Sequence, residues 1–356
     1  MTDWTSTLNV EQAAAALAHA RRLVAITHAK PDGDAIGSTL AVVRTALHLG
    51  AQAEAWYVGP MPRWSGTVIG TTPSRVFEPG RPVGAPADFE PGTVFVVDTG
   101  TWAQVQEYRP FLAPQRERIV VVDHHVHGDV EVSAHRHLDT SAASCTQILA
   151  KICATALQRP VHQLPLDIAE PLFLGLATDT GWFRFSSVSP AVMRLAADLL
   201  DAGVDQPRLY QVIEQQDVLG RFRLMGRALC SVSEHRLLND PRSRVAIMTL
   251  TQQDLDQSGA DRNDAGGFSD ILLSVANIQA AATLIEQADG PEKTIVKASV
   301  RSKPGPGAID VAAAMAGLGG GGHVRAAGAK VAGPLSQATR TILEALGAST
   351  TPETSR

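Results

Sequence analysis

The chain has 356 residues, with 31 Lys+Arg against 36 Asp+Glu and a net charge of −5. At roughly 100–200 residues per domain, that length suggests two domains. An apolar fraction of 44% rules out a disordered chain, and no apolar run approaches the ~20 residues that span a bilayer. The start, Met1-Thr2-Asp3-Trp4, lacks the basic segment and apolar core of a secretory signal. Three cysteines (Cys145, Cys153, Cys230) cannot all pair, and their spacing matches no zinc site. The expectation is a reduced, soluble, cytoplasmic protein with no membrane partner. Mild acidity also argues against holding long duplex DNA by charge. A nucleic-acid substrate should therefore be short, or gripped locally by metal ions and a few Arg and Lys.

In chain order, residues 23–28 read as a buried strand, followed by a turn and a helix over 36–49 that stops at Gly50. Further strands are expected at 53–58, 94–98 and 119–123. Short, continuous apolar runs separated by helical stretches indicate parallel strands covered on both faces. The Pro- and Gly-rich stretch 60–91 reads as an irregular insertion or long connection. Helices are expected over 141–156, 166–178, 190–202 and 207–216, with Pro190 in a first turn and Gly203 as a stop. Strand patterns return at 244–250, 281–286 and 294–301, with a helix over 310–316. The reading is an α/β protein: a parallel-sheet domain with helices on both faces (1–189), a helical linker (190–229), a smaller α/β domain (230–348) and a frayed tail.

Acids and histidines sit just past the ends of the apolar strands. The first strand leads into His28, Asp32 and Asp34, the third ends in Asp98, and the fourth in Asp123-His124-His125. The helix over 166–178 ends in Asp179. In an open parallel sheet, right-handed crossovers bring strand ends to one edge, and ligands bind there. Taken singly, Asp32-Gly33 is a common turn, Asp34 a helix cap, and Asp98 a loop residue. Their recurrence at the same end of successive strands sets these readings aside. So many carboxylates would repel one another and raise each other's pKa, a conflict that divalent cations remove. The count suits two ions, and oxygen ligands mixed with imidazole favour Mn²⁺, with Mg²⁺, Co²⁺ or Fe²⁺ as rivals. Two ions about 3.5–4 Å apart are the usual clamp for displacement at phosphorus.

The second domain carries a strand over 296–303 ending in Arg301-Ser302-Lys303, and further on Gly319-Gly320-Gly321-Gly322-His323-Val324-Arg325. Glycines let backbone amides approach an anion, and the nearby His and Arg add charge-assisted hydrogen bonds. The run reads as a phosphate-gripping loop. Neither a glycine-lysine phosphate loop nor a dinucleotide fingerprint is present. Cys145 and Cys153 read as core. Trp182-Phe183-Arg184-Phe185 either lines the crevice or packs in the core, with Arg184 the member of interest beside Asp179. The stretch 303–307, Lys-Pro-Gly-Pro-Gly, is unusually stiff beside the basic strand.

At these positions the sequence resembles the DHH phosphoesterases. His28, Pro31, Asp32, Gly33, Asp34, Ala35, Gly37 and Ser38 look like the first motif, Asp98 the second, Asp123-His124-His125 the third and Asp179 the fourth. Gly320-Gly321-Gly322-His323 with Ala326-Ala327-Gly328 resembles the DHH-associated domain. The layout is most similar to the oligoribonuclease/phosphoadenosine-phosphate phosphatase branch (nanoRNases), which also includes cyclic di-AMP phosphodiesterases. The resemblance implies that His28 and Asp32 hold one metal, that Asp34, His124 and Asp179 hold the other, and that Asp98 bridges them. His125 would support the phosphate or leaving group, oriented by Asp123. Arg301, Ser302, Gly320, Gly321, Gly322, His323, Arg325 and Arg184 would bind substrate. It implies hydrolysis of short RNA or DNA oligonucleotides or small nucleotides in a cleft between the domains, and it is compatible with a homodimer. Rivals are a 5′ single-strand DNA exonuclease, which usually needs an added strand-binding module, an inorganic pyrophosphatase, and a silent nucleotide sensor, which would have lost metal ligands.

Overall fold

The computed structural model describes residues 4–84, 86–240, 242–288, 294–305 and 307–352. The side chains of Ala288 and His323, Pro306 within the 303–307 stretch, and the tail from 353 onward lie outside the described set. The chain divides into two compact units, Met1–Gln216 and Asp217–Arg356.

Unit 1 contains the strands β1 (Arg22–Ile26), β2 (Gln52–Val58), β3 (Ser74–Phe77), β4 (Thr93–Val97), β5 (Ile119–Asp123) and β6 (His135–Leu138). Its helices are α1 (Val10–Ala18), α2 (Gly33–His48), α3 (Ser65–Ile69), α4 (Arg109–Leu112), α5 (Cys145–Leu157), α6 (Leu166–Asp179), α7 (Pro190–Asp201) and α8 (Gln206–Glu214). All strand pairs are parallel, in the order β3-β2-β1-β4-β5-β6. The apolar runs that mark the strands are continuous because both faces are buried. In β1, Leu23 and Ala25 enter a core shared with α1, α2, α5 and α6. Val24 and Ile26 enter a second core, which the short helical turns around Tyr108, Phe111 and Leu112 close over Trp56. Strand order reverses between β1 and β4, so their carboxyl ends open the crevice in which such sheets bind ligands.

The stretch 60–91, which reads as irregular in the sequence, supplies both α3 and the edge strand β3. The signal is weak because β3 has only four residues, Ser74-Arg75-Val76-Phe77, set among turn residues. Arg75 fastens this edge by ion pairs to Glu54 at 2.6 Å and Asp88 at 2.8 Å. Helix α5 starts at Cys145 rather than 141, because the Ser144 side chain caps it by accepting from the Gln147 amide.

Helix α2 is buried along most of its length and packs closely against α6. A Cβ on Gly33 would overlap the Thr178 side chain, and one on Gly37 would overlap the Pro171 carbonyl oxygen. The glycines of the first motif therefore set the helix–helix distance. Gly37→Ala meets backbone rather than a movable side chain, and should cost about 1–3 kcal/mol through overpacking. A lowered urea midpoint with an unchanged m-value is the expected readout.

Unit 2 contains α9 (Leu219–Cys230), β7 (Ser233–Arg236), β8 (Arg244–Leu250), α10 (Gln252–Ser258), α11 (Phe268–Leu272), β9 (Ile278–Ala288) and β10 (Thr294–Ser302). These are followed by α12 (Val311–Ala316), β11 (Gly321–His323), β12 (Ala326–Ala332) and α13 (Leu335–Ala345). The sheet order is β11-β12-β10-β9-β8-β7, antiparallel except for the β8–β9 pair. Helices α12 and α13 cover one face, and α9, α10 and α11 cover part of the other. The glycine run is not a free loop. Gly321, Gly322 and His323 form the edge strand β11, paired with Gly328, Ala327 and Ala326. Among the described residues, no helix is long and apolar enough to cross a membrane.

Candidate metal centre

Five elements deliver the charged residues of unit 1 to the carboxyl end of its sheet. His28 follows β1, Asp32 and Asp34 open α2, Asp98 follows β4, His124 follows β5, and Asp179 ends α6. His28 Nε2 lies 3.6 Å from Asp98 Oδ2 and 4.0 Å from Asp32 Oδ1. His124 Nε2 lies 3.3 Å from Asp98 Oδ1, 3.5 Å from Asp179 Oδ2 and 4.0 Å from Asp34 Oδ2. Asp98 thus stands between two groups, one with His28 and Asp32, the other with His124, Asp34 and Asp179. Both groups bring one ligand atom per residue within 4.8 Å of one another, and so does the trio Asp98, His124 and His125.

Asp98 is held unusually. It is 3% exposed and adopts a left-handed backbone, φ +58°. For a residue with a Cβ this conformation is disfavoured and persists only where its surroundings impose it. Its amide donates to the Val122 carbonyl at 3.0 Å. Its Oδ1 is buried and lacks a hydrogen bond of good geometry, despite the nearby His124 ring. An orphaned, buried carboxylate oxygen is costly unless a cation faces it.

The imidazoles face the same way. His28 Nδ1–H donates to the Ala29 carbonyl at 3.0 Å, and His124 Nδ1 points at the Ala142 carbonyl at 3.4 Å. Backbone carbonyls only accept, so each Nε2 presents its lone pair to the carboxylates in the neutral ring. This is the ring orientation typical of metal-ligating histidines. Taken alone, the side chains meet the conflict with protons. Burial works against charge on His28, but the hydrogen bond and charge of Asp98 outweigh it and raise its pKa to about 9. The same contest, with Asp34 and Asp179 added, takes His124 to about 10. Burial and the charge of Asp98 push Asp179 up to about 7. Burial also disfavours the charge on Asp98, yet His124 and His28 hold it down at about 2. The donor set, the buried oxygen and the aimed ring nitrogens fit divalent cations.

Asp34 is fully buried at the N-terminus of α5. It accepts from the Cys145 amide at 2.6 Å, the Thr146 amide at 3.0 Å and the Thr146 hydroxyl at 2.7 Å. Helix N-termini favour such anions. Asp123 is fully buried and its Oδ1 accepts from the His124 and His125 amides, at 2.8 and 3.2 Å, and from His125 Nδ1 at 2.7 Å. That hydrogen bond, against some opposition from burial, raises the pKa of His125.

Three supporting features are not evident in the sequence. One is Thr146 at the start of α5. Another is the run Gly181-Trp182-Phe183, all left-handed (φ +57°, +56° and +64°), immediately beyond Asp179 and Thr180. Trp182 and Phe183 are half-buried and pack against the edge of the core, Trp182 on Tyr210 and Glu214 and Phe183 on Phe173. Arg184 is exposed and donates to the Gly181 carbonyl at 2.7 Å. The third is Trp4, whose ring covers Gly100 and Gly128 and whose Nε1–H donates to the His125 carbonyl at 3.2 Å. A Cβ on either glycine would overlap that ring.

In unit 2, Arg301, Gly320 and Gly321 line a groove of ≈ 460 Å³. Ser302 and Arg325 are not among its lining residues. Ser302 is buried and donates to the Ile309 carbonyl at 2.7 Å, and Arg325 donates to the same carbonyl at 3.0 Å. Gly322 is in β11, with φ +144°, and a Cβ there would overlap the Ala326 carbonyl oxygen.

A parallel α/β sheet with these clusters at its carboxyl end defines an open-sheet protein whose buried acids and histidines could hold metal ions. The chain matches the DHH family N-terminal domain over residues 22–176 and the DHHA1 domain over residues 243–349. It belongs to the DHH family. It is 31% identical over 326 residues to the bifunctional oligoribonuclease and PAP phosphatase NrnA of Thermus thermophilus, covering 90% of this chain and 87% of that one. The protein of the same name from Bacillus subtilis is 23% identical over 306 residues, covering 85% and 87%. An exopolyphosphatase-related protein from Bacteroides fragilis shares the fold, with a TM-score of 0.82 and 20% identity over 97% of both chains.

Trp4 ties together the loops that follow β4 and β5. Trp4→Ala should destabilise the protein by about 1–3 kcal/mol and weaken Mn²⁺ binding measured by calorimetry. Trp4→Phe, which keeps a ring over the glycines, should recover most of the stability.

Proposed function

We propose that this chain is a divalent-cation-dependent phosphoesterase that hydrolyses short oligonucleotides and 3′-phosphoadenosine-5′-phosphate. The observation that carries the reading is the Asp98 carboxylate, forced into a left-handed backbone between His28 and His124 with a buried oxygen left unpaired. His28, Asp32 and Asp98 would hold one ion. Asp98, His124, Asp34 and Asp179 would hold a second. Mn²⁺ suits this mixture of oxygen and imidazole donors. When bound, such a pair activates water near neutral pH and neutralises charge at phosphorus.

The chain's own residues supply the rest. Asp123 fixes His125 through Nδ1 and favours its protonated form, so Nε2–H is available to donate to the leaving oxygen or a phosphoryl oxygen. The α5 amides and Thr146 keep Asp34 from turning away. In unit 2, the Arg301 guanidinium on the groove would take a phosphate of the substrate, and Gly320 and Gly321, which carry no side chain, would let it approach closely. Ser302 and Arg325 would shape the end of β10 through Ile309. The substrate class follows the two relatives named for oligoribonuclease and PAP phosphatase activity.

The test is release of nucleotide from di- to pentanucleotides and of phosphate from phosphoadenosine phosphate, with Mn²⁺ and with chelator. Turnover should require the cation. Asp98→Ala should lower kcat by on the order of 10³-fold with the circular dichroism spectrum retained. Asp123→Asn, acting through His125, should lose about 10–100-fold. Absence of turnover on every substrate with Mn²⁺ would end the proposal.

A further inference from the structure

The unit 2 groove carries two lysines that the proposed phosphate contact at Arg301 does not use. Lys297 on β10 and Lys330 on β12 are directly opposite each other in the antiparallel register, and both line the groove. Both are exposed. Alternation along β10 places Lys297, Ser299 and Arg301 on one face, while Val296, Ala298 and Val300 pack into the core on the other. Like charges directly across a strand pair are destabilising. Among the described residues neither lysine has an ion pair or hydrogen bond that would offset this repulsion. An anion placed between them would.

We infer that Lys297 and Lys330 form a second phosphate subsite, which takes a backbone phosphodiester of an oligonucleotide whose other phosphate sits at Arg301. Lys297 and Arg301 are four residues apart along β10, a span of ~13 Å. A chain with several phosphates can place a separate phosphate at each end of that span. The floor between them is made of Ser299, Ala326 and Gly328, small residues that leave room for a chain to lie along the sheet. The subsite deepens the hydrolase reading and rests on it. It makes the groove selective for length, and it concerns oligonucleotides rather than mononucleotides.

The experiment compares the unaltered full chain with the double variant K297Q/K330Q. Turnover is measured with Mn²⁺ on phosphoadenosine phosphate, a dinucleotide and a pentanucleotide. Binding of a fluorescent pentanucleotide is titrated against salt in chelator. The expected result is a loss confined to the pentanucleotide, with KM raised on the order of tenfold. The slope of log affinity against log salt should shrink by about 1.4, the value for two contacts to a single strand. Tm should hold or rise, because a like-charge pair has been removed. Unchanged pentanucleotide KM and salt slope, with turnover intact, would overturn the subsite. A loss spread equally over all three substrates would overturn it too. If the unaltered chain turns over nothing, the hydrolase reading fails, and the salt titration still decides the lysines.

Discussion

The structure of unit 1 is organised around a single electrostatic problem. Asp34, Asp98 and Asp179 converge on His124, and Asp98 is shared with His28. In a buried setting such carboxylates cannot all stay ionised without positive charge nearby. The side chains by themselves solve this with protons, which is why both imidazoles and Asp179 titrate far above their usual ranges. Divalent cations would solve it with more charge in less space, and would give the unpaired oxygen of Asp98 a partner.

The rest of unit 1 keeps this arrangement from relaxing. The reversal of strand order between β1 and β4 leaves room above the sheet, into which His28 and Asp98 project. Helix α5 directs two amides at Asp34, and α2 approaches α6 closely enough that Gly33 and Gly37 have no room for a side chain. A Cβ on Gly175 of α6 would overlap the Asp34 carboxylate itself. Asp98 and the left-handed run after Asp179 store backbone strain next to the ligand groups, where strain is commonly found in functional sites. Packing elsewhere offsets it: Trp182 stacks edge-on with Tyr210, and Phe183 with Phe173.

Much of this was legible in the sequence because strands buried on both faces declare themselves as short apolar runs, and their ends are where charge can appear. Val94-Phe95-Val96-Val97-Asp98 and Ile119-Val120-Val121-Val122-Asp123 carry both signals within five residues. Other elements were hidden for identifiable reasons. β12 reads Ala-Ala-Gly-Ala-Lys-Val-Ala, with only one β-branched residue, and at Gly328 it approaches the Ala298 carbonyl too closely for a Cβ. β11 is made largely of glycine, which in a sequence signals a loop, whereas here it permits an edge strand to lie against β12. Trp4 and Thr146 act across more than a hundred residues of chain, and no local spacing announces such contacts.

Sharing of Asp98 by two cations is what the proposed chemistry requires. Titration of the full chain with Mn²⁺, following heat and electron paramagnetic resonance together, tests it most directly. Two ions per chain with spin coupling between them are expected, with loss of that coupling in Asp98→Asn. One isolated ion, or a coupled pair that survives the substitution unchanged, would contradict it.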